Sequence, residues 1–191
     1  MFSAYWVPWF YIPLYAEAAV GATVAFSFNL LSITNATSIV GRLIATFGQK
    51  WAAPLPLLLA SAVVSGVLVW SWLSIHTVGG FVAFSVLWGL FSGPMAVLPA
   101  SIVAVLSPSM NVVGARMGMV WSSASIGILI GSPIAGALSK PTKDGFSNGI
   151  SYAAACLIAS AVLVSVTWAL HSARKRQEAL ETEEHKRVME R

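Results

Sequence analysis

The chain has 191 residues, of which 57% are hydrophobic and 9% charged, with a formal net charge of +4. An average soluble domain carries about 25% charged residues, so this composition excludes a water-soluble globule and leaves the lipid bilayer as the solvent. The small positive charge is accounted for by membrane topology, as set out below, and gives no reason to expect nucleic acid as a partner.

The charges are missing in blocks. No Asp, Glu, Lys or Arg occurs from Trp51 to Ala115, from Met117 to Ser139, or from Gly145 to Ala173. About 20 mostly apolar residues cross a bilayer as a helix, so the first gap holds two spans and each of the others one. The expected spans are 3–16, 22–40, 54–75, 78–106, 117–138 and 150–170. The fold class is therefore all-α, an integral membrane bundle of about six helices over residues 1–170, followed by a charged tail over 171–191.

The first span is short for a crossing, which marks a first helix that is truncated. Ala16-Glu17-Ala18 has the small-x-small form of a signal-peptide cleavage site. However, the stretch before it lacks a basic region and is interrupted by Pro8 and Pro13, so it reads as a span. The second span carries a polar stripe. Ser27, Leu31, Asn35, Ser38 and Arg42 follow each other at spacings of four and three, which puts them on one helical face. Polar groups in a membrane turn toward the bundle interior, so this face is a candidate solute lining, with Arg42 able to grip a carboxylate through two parallel hydrogen bonds. The plain structural alternatives stay open: Asn35 bonded to a neighbouring helix, and Arg42 as a topological anchor.

The fourth span is long and holds Pro94 and Pro99 after Gly89 and Gly93, which predicts a kinked or locally unwound helix facing protein or a cavity. Gly89-x-x-x-Gly93 there, and Gly127-x-x-x-Gly131 in the fifth span, predict close helix packing. Gly118, Ser122, Ser125, Leu129 and Ser132 share another face of the fifth span. Trp88, Trp121 and Ser125 join the candidate solute-lining residues, with an interfacial belt as the competing account of the tryptophans.

Linkers are expected at 41–53, 107–116 and 140–149. The tail HSARKRQEALETEEHKRVMER places Glu178, Glu181 and Glu184 at helical spacing and reads as a solvated helix or a disordered segment. Arg174, Lys175 and Arg176 would favour anionic headgroups, which makes membrane lipid a partner. With six spans both termini share one side. That side holds Arg42, Lys50, Arg116 and the six basic residues of the tail, nine of the eleven, while the other holds Lys140 and Lys143 beside Glu17 and Asp144. The basic side is the cytoplasmic one, and the plasma membrane is expected over an internal membrane. Cys156 is the only cysteine, and the three histidines show no ligand spacing, so no metal and no cofactor are expected. Carboxylate pairs, histidine clusters and phosphate-cradling loops are absent, and the chain is not expected to be an enzyme.

Two stretches, Asn35-Ala-Thr-Ser-Ile-Val-Gly-Arg42 and the following Phe47-Gly-Gln-Lys50, resemble the end of the eighth helix and the following loop of major facilitator superfamily transporters. The resemblance is closer to the monocarboxylate-transporter-like branch abundant in fungi. It rests on Trp88-Gly-Leu-Phe-Ser-Gly93, Leu98-Pro-Ala100, Leu106-Ser-Pro108, Gly114-Ala-Arg-Met-Gly-Met119 and Gly131-Ser-Pro-Ile-Ala-Gly136, in that order. It covers residues 5–170 and corresponds to the C-terminal six-helix half alone. It implies alternating access around a path between two halves, and a cytoplasmic gate loop containing Gly41, Arg42 and Lys50. The partner implied is an N-terminal six-helix half or a second chain. Animal proton-coupled members carry an acid one turn before the matching arginine; here that position is Ser38, a departure that argues against their coupling mechanism. The leading expectation is transport of a small organic solute, with a monocarboxylate or other organic anion as the candidate class. The alternative is a truncated, transport-inactive membrane protein that associates with or regulates a full-length transporter.

Overall fold

Lipid offers no hydrogen bonds to a backbone, so a chain immersed in it must satisfy its amides within each helix or by closing a barrel. The computed structural model describes residues 1–139 and 145–189, and every regular element in them is helical. The α-helices are α1 (Phe2–Ala18), α2 (Val24–Gly48), α3 (Pro54–Ser71), α4 (Val78–Leu106), α5 (Met110–Leu138) and α6 (Ser147–Met189), with one 3-10 turn at Trp72–Ser74. Helices α2 to α6 are each long and apolar enough to cross a membrane; α1, at 17 residues, rises about 25 Å. Lys140, Lys143 and Asp144 lie outside the described residues, as do the side chains of Lys175, Glu178 and Glu184.

The helices start and stop where local chemistry directs. Thr23 and Thr77 cap α2 and α4, each hydroxyl accepting a backbone N–H from the third residue on, Phe26 at 3.4 Å and Gly80 at 3.2 Å. Pro54 opens α3 at a position where its missing donor costs nothing.

Three expectations are corrected. The linker expected from Gly41 does not begin there: α2 runs on to Gly48, so Gly41 and Arg42 are helical and Lys50 alone of the three lies in the turn. The linker expected at 107–116 shrinks to three residues because α5 starts at Met110. In both places a lone arginine was taken as the edge of a span, yet its long side chain can leave the apolar zone while its backbone stays helical. Arg116 shows how. Its guanidinium reaches back to donate to the Leu106 carbonyl at 2.9 Å, satisfying the end of α4. The third correction is at Pro94 and Pro99, where α4 stays helical without a break instead of unwinding. The tail, expected as a solvated helix or a disordered segment, is helical and continues α6 as one helix of 43 residues, about 65 Å long and so longer than a bilayer is thick.

Helix α2 lies along α4, α1 along α5, and α3 along both α6 and α4. Exchanging the first three helices for the last three turns the α1/α5 pair into α4/α2 and leaves α3/α6 unchanged. Such pairing is that of two three-helix repeats. The tightest crossing is α2 on α4. A Cβ at Gly41 would collide with the Leu90 carbonyl, one at Gly89 with the Thr34 carbonyl and Thr37 hydroxyl, and one at Gly93 with the Ser38 carbonyl. Gly131 of α5 meets the Ser3 backbone in the same manner, whereas a Cβ added at Gly127 would make only an ordinary contact there, 3.5 Å from the Ser3 nitrogen. The interior is filled by a column of rings running from the α1/α3 ends toward mid-bundle: Tyr15 on Trp72 (5.4 Å between centroids), Trp72 on Phe84 (4.9 Å), Phe84 on Trp88 (6.5 Å) and Trp88 on Tyr5 (6.3 Å). The Tyr15 hydroxyl closes its end by donating to the Ile75 carbonyl at 3.1 Å.

This packing sorts the glycines by consequence. Gly41→Ala and Gly89→Ala push a methyl into backbone and should each cost about 1–3 kcal/mol. Gly114→Ala, with nothing within 4 Å of the added carbon, should stabilise α5 by up to about 1 kcal/mol. Thermal melting of the purified variants in detergent checks the order, and equal melting of all three would contradict the packing.

Candidate functional site

The polar stripe of α2 divides on inspection of its hydrogen bonds. The Ser27 hydroxyl donates to the Thr23 carbonyl at 3.1 Å and the Asn35 amide to the Leu31 carbonyl at 3.0 Å, each one turn back on the same helix. Thr34 and Thr37 do likewise, to Leu30 at 2.8 Å and Ile33 at 3.0 Å. Ser38 does not. Its hydroxyl is buried, at 1% exposure, and has no hydrogen-bond partner. An unsatisfied buried polar group costs about 1–3 kcal/mol, and such groups in a native structure call for an explanation.

Ser38 is not alone in this. The indole N–H of Trp88 is also buried without a partner, as are those of Trp6 and Trp72 and the hydroxyls of Ser65 and Ser132 elsewhere in the bundle. Trp88 is fully enclosed, held by Phe84 on one side and Tyr5 on the other. The Tyr5 phenol faces Arg42 of α2, Trp9 of its own helix and Ser92 of α4. Three helices therefore converge here: α1 through Tyr5 and Trp9, α2 through Ser38 and Arg42, and α4 through Trp88 and Ser92. The glycine crossing sets the distance, since Gly93 brings α4 onto the Ser38 carbonyl and the Arg42 amide. No Asp or Glu occurs between Glu17 and Asp144, so no acid on α2 to α5 can neutralise Arg42. The cluster is thus rich in hydrogen-bond donors and in ring faces, with one positive charge and no negative one. Its chemistry suits an oxygen-bearing or anionic organic molecule.

The expected lining residues do not all gather. Ser38, Arg42 and Trp88 belong to this region, Arg42 from an exposed position on α2, whereas Asn35, also exposed, is bonded within its own helix. Trp121 and Ser125 are on α5, where Trp121 is 39% exposed against Phe2, at 5.5 Å between centroids, and the Ser125 hydroxyl donates to the Trp121 carbonyl at 2.8 Å. Gly41 packs against α4, and Lys50 sits beyond the helix end over the Phe47 ring, 5.3 Å from its centroid. Tyr5, Trp9 and Ser92 were not singled out from sequence. The spacing of four between Tyr5 and Trp9 was the available signal, since it sets two polar-tipped rings on one face of α1. No group of three or more metal-ligating side chains occurs among the described residues.

These features define a multi-pass membrane protein with a donor-lined interior. The chain is similar to fungal transporters over most of its length. It is 31% identical over 157 residues to the MFS-type transporter pynF of Aspergillus niger, covering 82% of this chain and 36% of that one. It is 30% identical over 156 residues to the aspyridones efflux protein apdF of Emericella nidulans, covering 82% and 32%. It is 30% identical over 141 residues to the agnestins efflux protein AgnL12 of Paecilomyces divaricatus, covering 74% and 32%. The chain spans about a third of the length of the curated relatives it matches. No protein-family model and no solved structure matches it. The names of these relatives are those of MFS-type transporters and efflux proteins.

If the Ser38 hydroxyl is held unpaired for a ligand, removing it should not weaken the empty protein. Ser38→Ala is expected to melt at the wild-type temperature or slightly above, a gain of up to about 1 kcal/mol. Melting markedly below wild type in detergent would show that the hydroxyl has a structural partner.

Proposed function

We propose that the chain forms the C-terminal six-helix half of a major facilitator transporter of the monocarboxylate-like type. It would move a small organic solute, a monocarboxylate or another organic anion, by alternating access against an N-terminal half. The observation that carries this reading is the pair of unpaired donors, Ser38 and Trp88, in the region where Tyr5 meets Arg42. A carboxylate offers acceptors to both of them and a charge to the guanidinium. The pairing of helices as two three-helix repeats and the likeness to transporters and efflux proteins support it. The exposed faces of α2 and α5, with Asn35, Trp121 and Ser125 on them, are where a second half would seat in this reading. The basic ends of the helices would lie in the cytoplasm, with both termini, and the protein in the plasma membrane.

The test is flux of labelled small carboxylates across vesicles holding the chain together with a six-helix N-terminal half, and across vesicles holding the chain alone. Flux is expected in the first and not in the second. Hydrogen bonds to charged groups contribute about 1.5–3 kcal/mol, so Arg42→Gln should lower carboxylate flux roughly tenfold or more, with Arg42→Lys recovering part of it. Wild-type flux in Arg42→Gln would remove the anion assignment. No flux in either vesicle would instead favour a protein that only associates with a complete transporter.

A further inference from the structure

Where α4 ends and α5 begins, two cavities share a wall. The larger, about 550 Å³, is lined by Ser107, Pro108, Arg116, His171 and Arg174. The smaller, about 150 Å³, is lined by Leu55, Ile102 and Trp168 among others, and is mainly apolar. Val105, Leu106 and His171 line both, so the two lie side by side. The basic part is built from three segments distant in sequence: the end of α4, the second turn of α5, and α6 as it passes from its apolar to its charged stretch. Among the described residues its lining contains two guanidinium groups and an imidazole, and no acid. Arg116 is oriented there by its bond to the Leu106 carbonyl at 2.9 Å. Trp168, 44% exposed, flanks the apolar part at the depth where tryptophan marks a membrane interface.

A basic pocket lying beside an apolar groove at the end of a set of membrane spans matches one kind of molecule in both its parts. We propose that this end of the bundle is a binding site for an anionic phospholipid. The phosphate lies between Arg116 and Arg174, with His171 as an additional donor, and one acyl chain occupies the groove between Ile102 and Trp168. Two arginines at one headgroup supply charge-assisted, geometrically specific bonds to phosphate oxygens, and basic pockets between spans are suited to such headgroups. The groove distinguishes the lipid from a soluble phosphate, which would leave Ile102, Leu55 and Trp168 without a partner. Bound there, the lipid would tie α4, α5 and α6 together at this end, where the structure has only the short turn at Ser107–Ser109 and the Arg116 bond between α4 and α5.

The site is tested on the full chain in detergent by titration with phosphatidylglycerol carrying brominated acyl chains and with phosphatidylcholine carrying the same chains. The signal is the tryptophan quenching lost on Trp168→Phe. A basic residue near a membrane surface is worth about a fivefold change in affinity for anionic lipid. Phosphatidylglycerol should therefore bind at least fivefold more tightly than phosphatidylcholine, and Arg174→Gln and Arg116→Gln should each remove about fivefold. Should Arg116→Gln fail to fold through loss of the Leu106 bond, Arg174→Gln decides, because it leaves that bond intact. Equal affinity for the two lipids, or an unchanged preference in Arg174→Gln, would overturn the proposal. So would displacement of the lipid by inorganic phosphate at matching concentration, which would assign the pocket to a soluble anion.

Discussion

Pro94 has no amide hydrogen, so the Leu90 carbonyl one turn earlier in α4 loses its helical donor. In a membrane that carbonyl cannot turn to water. In this protein it points at the α carbon of Gly41 on α2, at the place where a side chain would otherwise be. A Cα–H opposite a carbonyl gives a weak hydrogen bond, and the missing side chains of Gly41, Gly89 and Gly93 bring the two helices into close contact along two turns. Membrane helices gain little from hydrophobicity when they associate, since lipid is as apolar as they are. Close packing at sites such as this one therefore decides which helices pair.

The α2/α4 crossing also sets up the interior chemistry. Because Gly93 admits α2 so closely, Ser38 and Arg42 are carried to the flank of α4 where Ser92 and Trp88 stand, and α1 closes over them with Tyr5 and Trp9. The stiff column of rings from Tyr15 to Trp88 fixes Trp88 in place, so its N–H cannot turn away to find another acceptor. Ser38 differs from Thr34 and Thr37 in having no bond to its own helix, although all three lie on the same two turns. The structure thus combines tight backbone contact between α2 and α4 with polar groups left unpaired beside it.

Much of the fold was readable from one dimension. The gaps in charge marked the spans, and those around α3 and α4 were placed within a few residues of their observed limits. The errors fell where a boundary had been drawn at a single arginine. Arg42 and Arg116 are both helical, since an arginine side chain of this length can carry its charge to a polar partner or the headgroups while its backbone continues the helix. The site was less legible. Asn35, Ser38 and Arg42 were grouped by helical spacing alone, and spacing cannot tell an amide satisfied by its own helix from a hydroxyl that is not. Trp121 and Ser125 were grouped with them by residue type, but α5 turns them outward beside α1.

The sequence by itself determined that the chain is a multi-pass helical membrane protein, and where along it the apolar stretches and the charges fall. These follow from hydropathy and charge, which add up locally along the chain whatever the rest of the molecule does. Tertiary structure alone decided that α2 pairs with α4, that Gly41 is a contact and not part of a loop, and that Tyr5, Ser38 and Trp88 come together. Such pairings depend on where a freed carbonyl or an absent side chain meets its counterpart on a helix dozens of residues away, and an apolar helix surface carries no periodic signal to announce it.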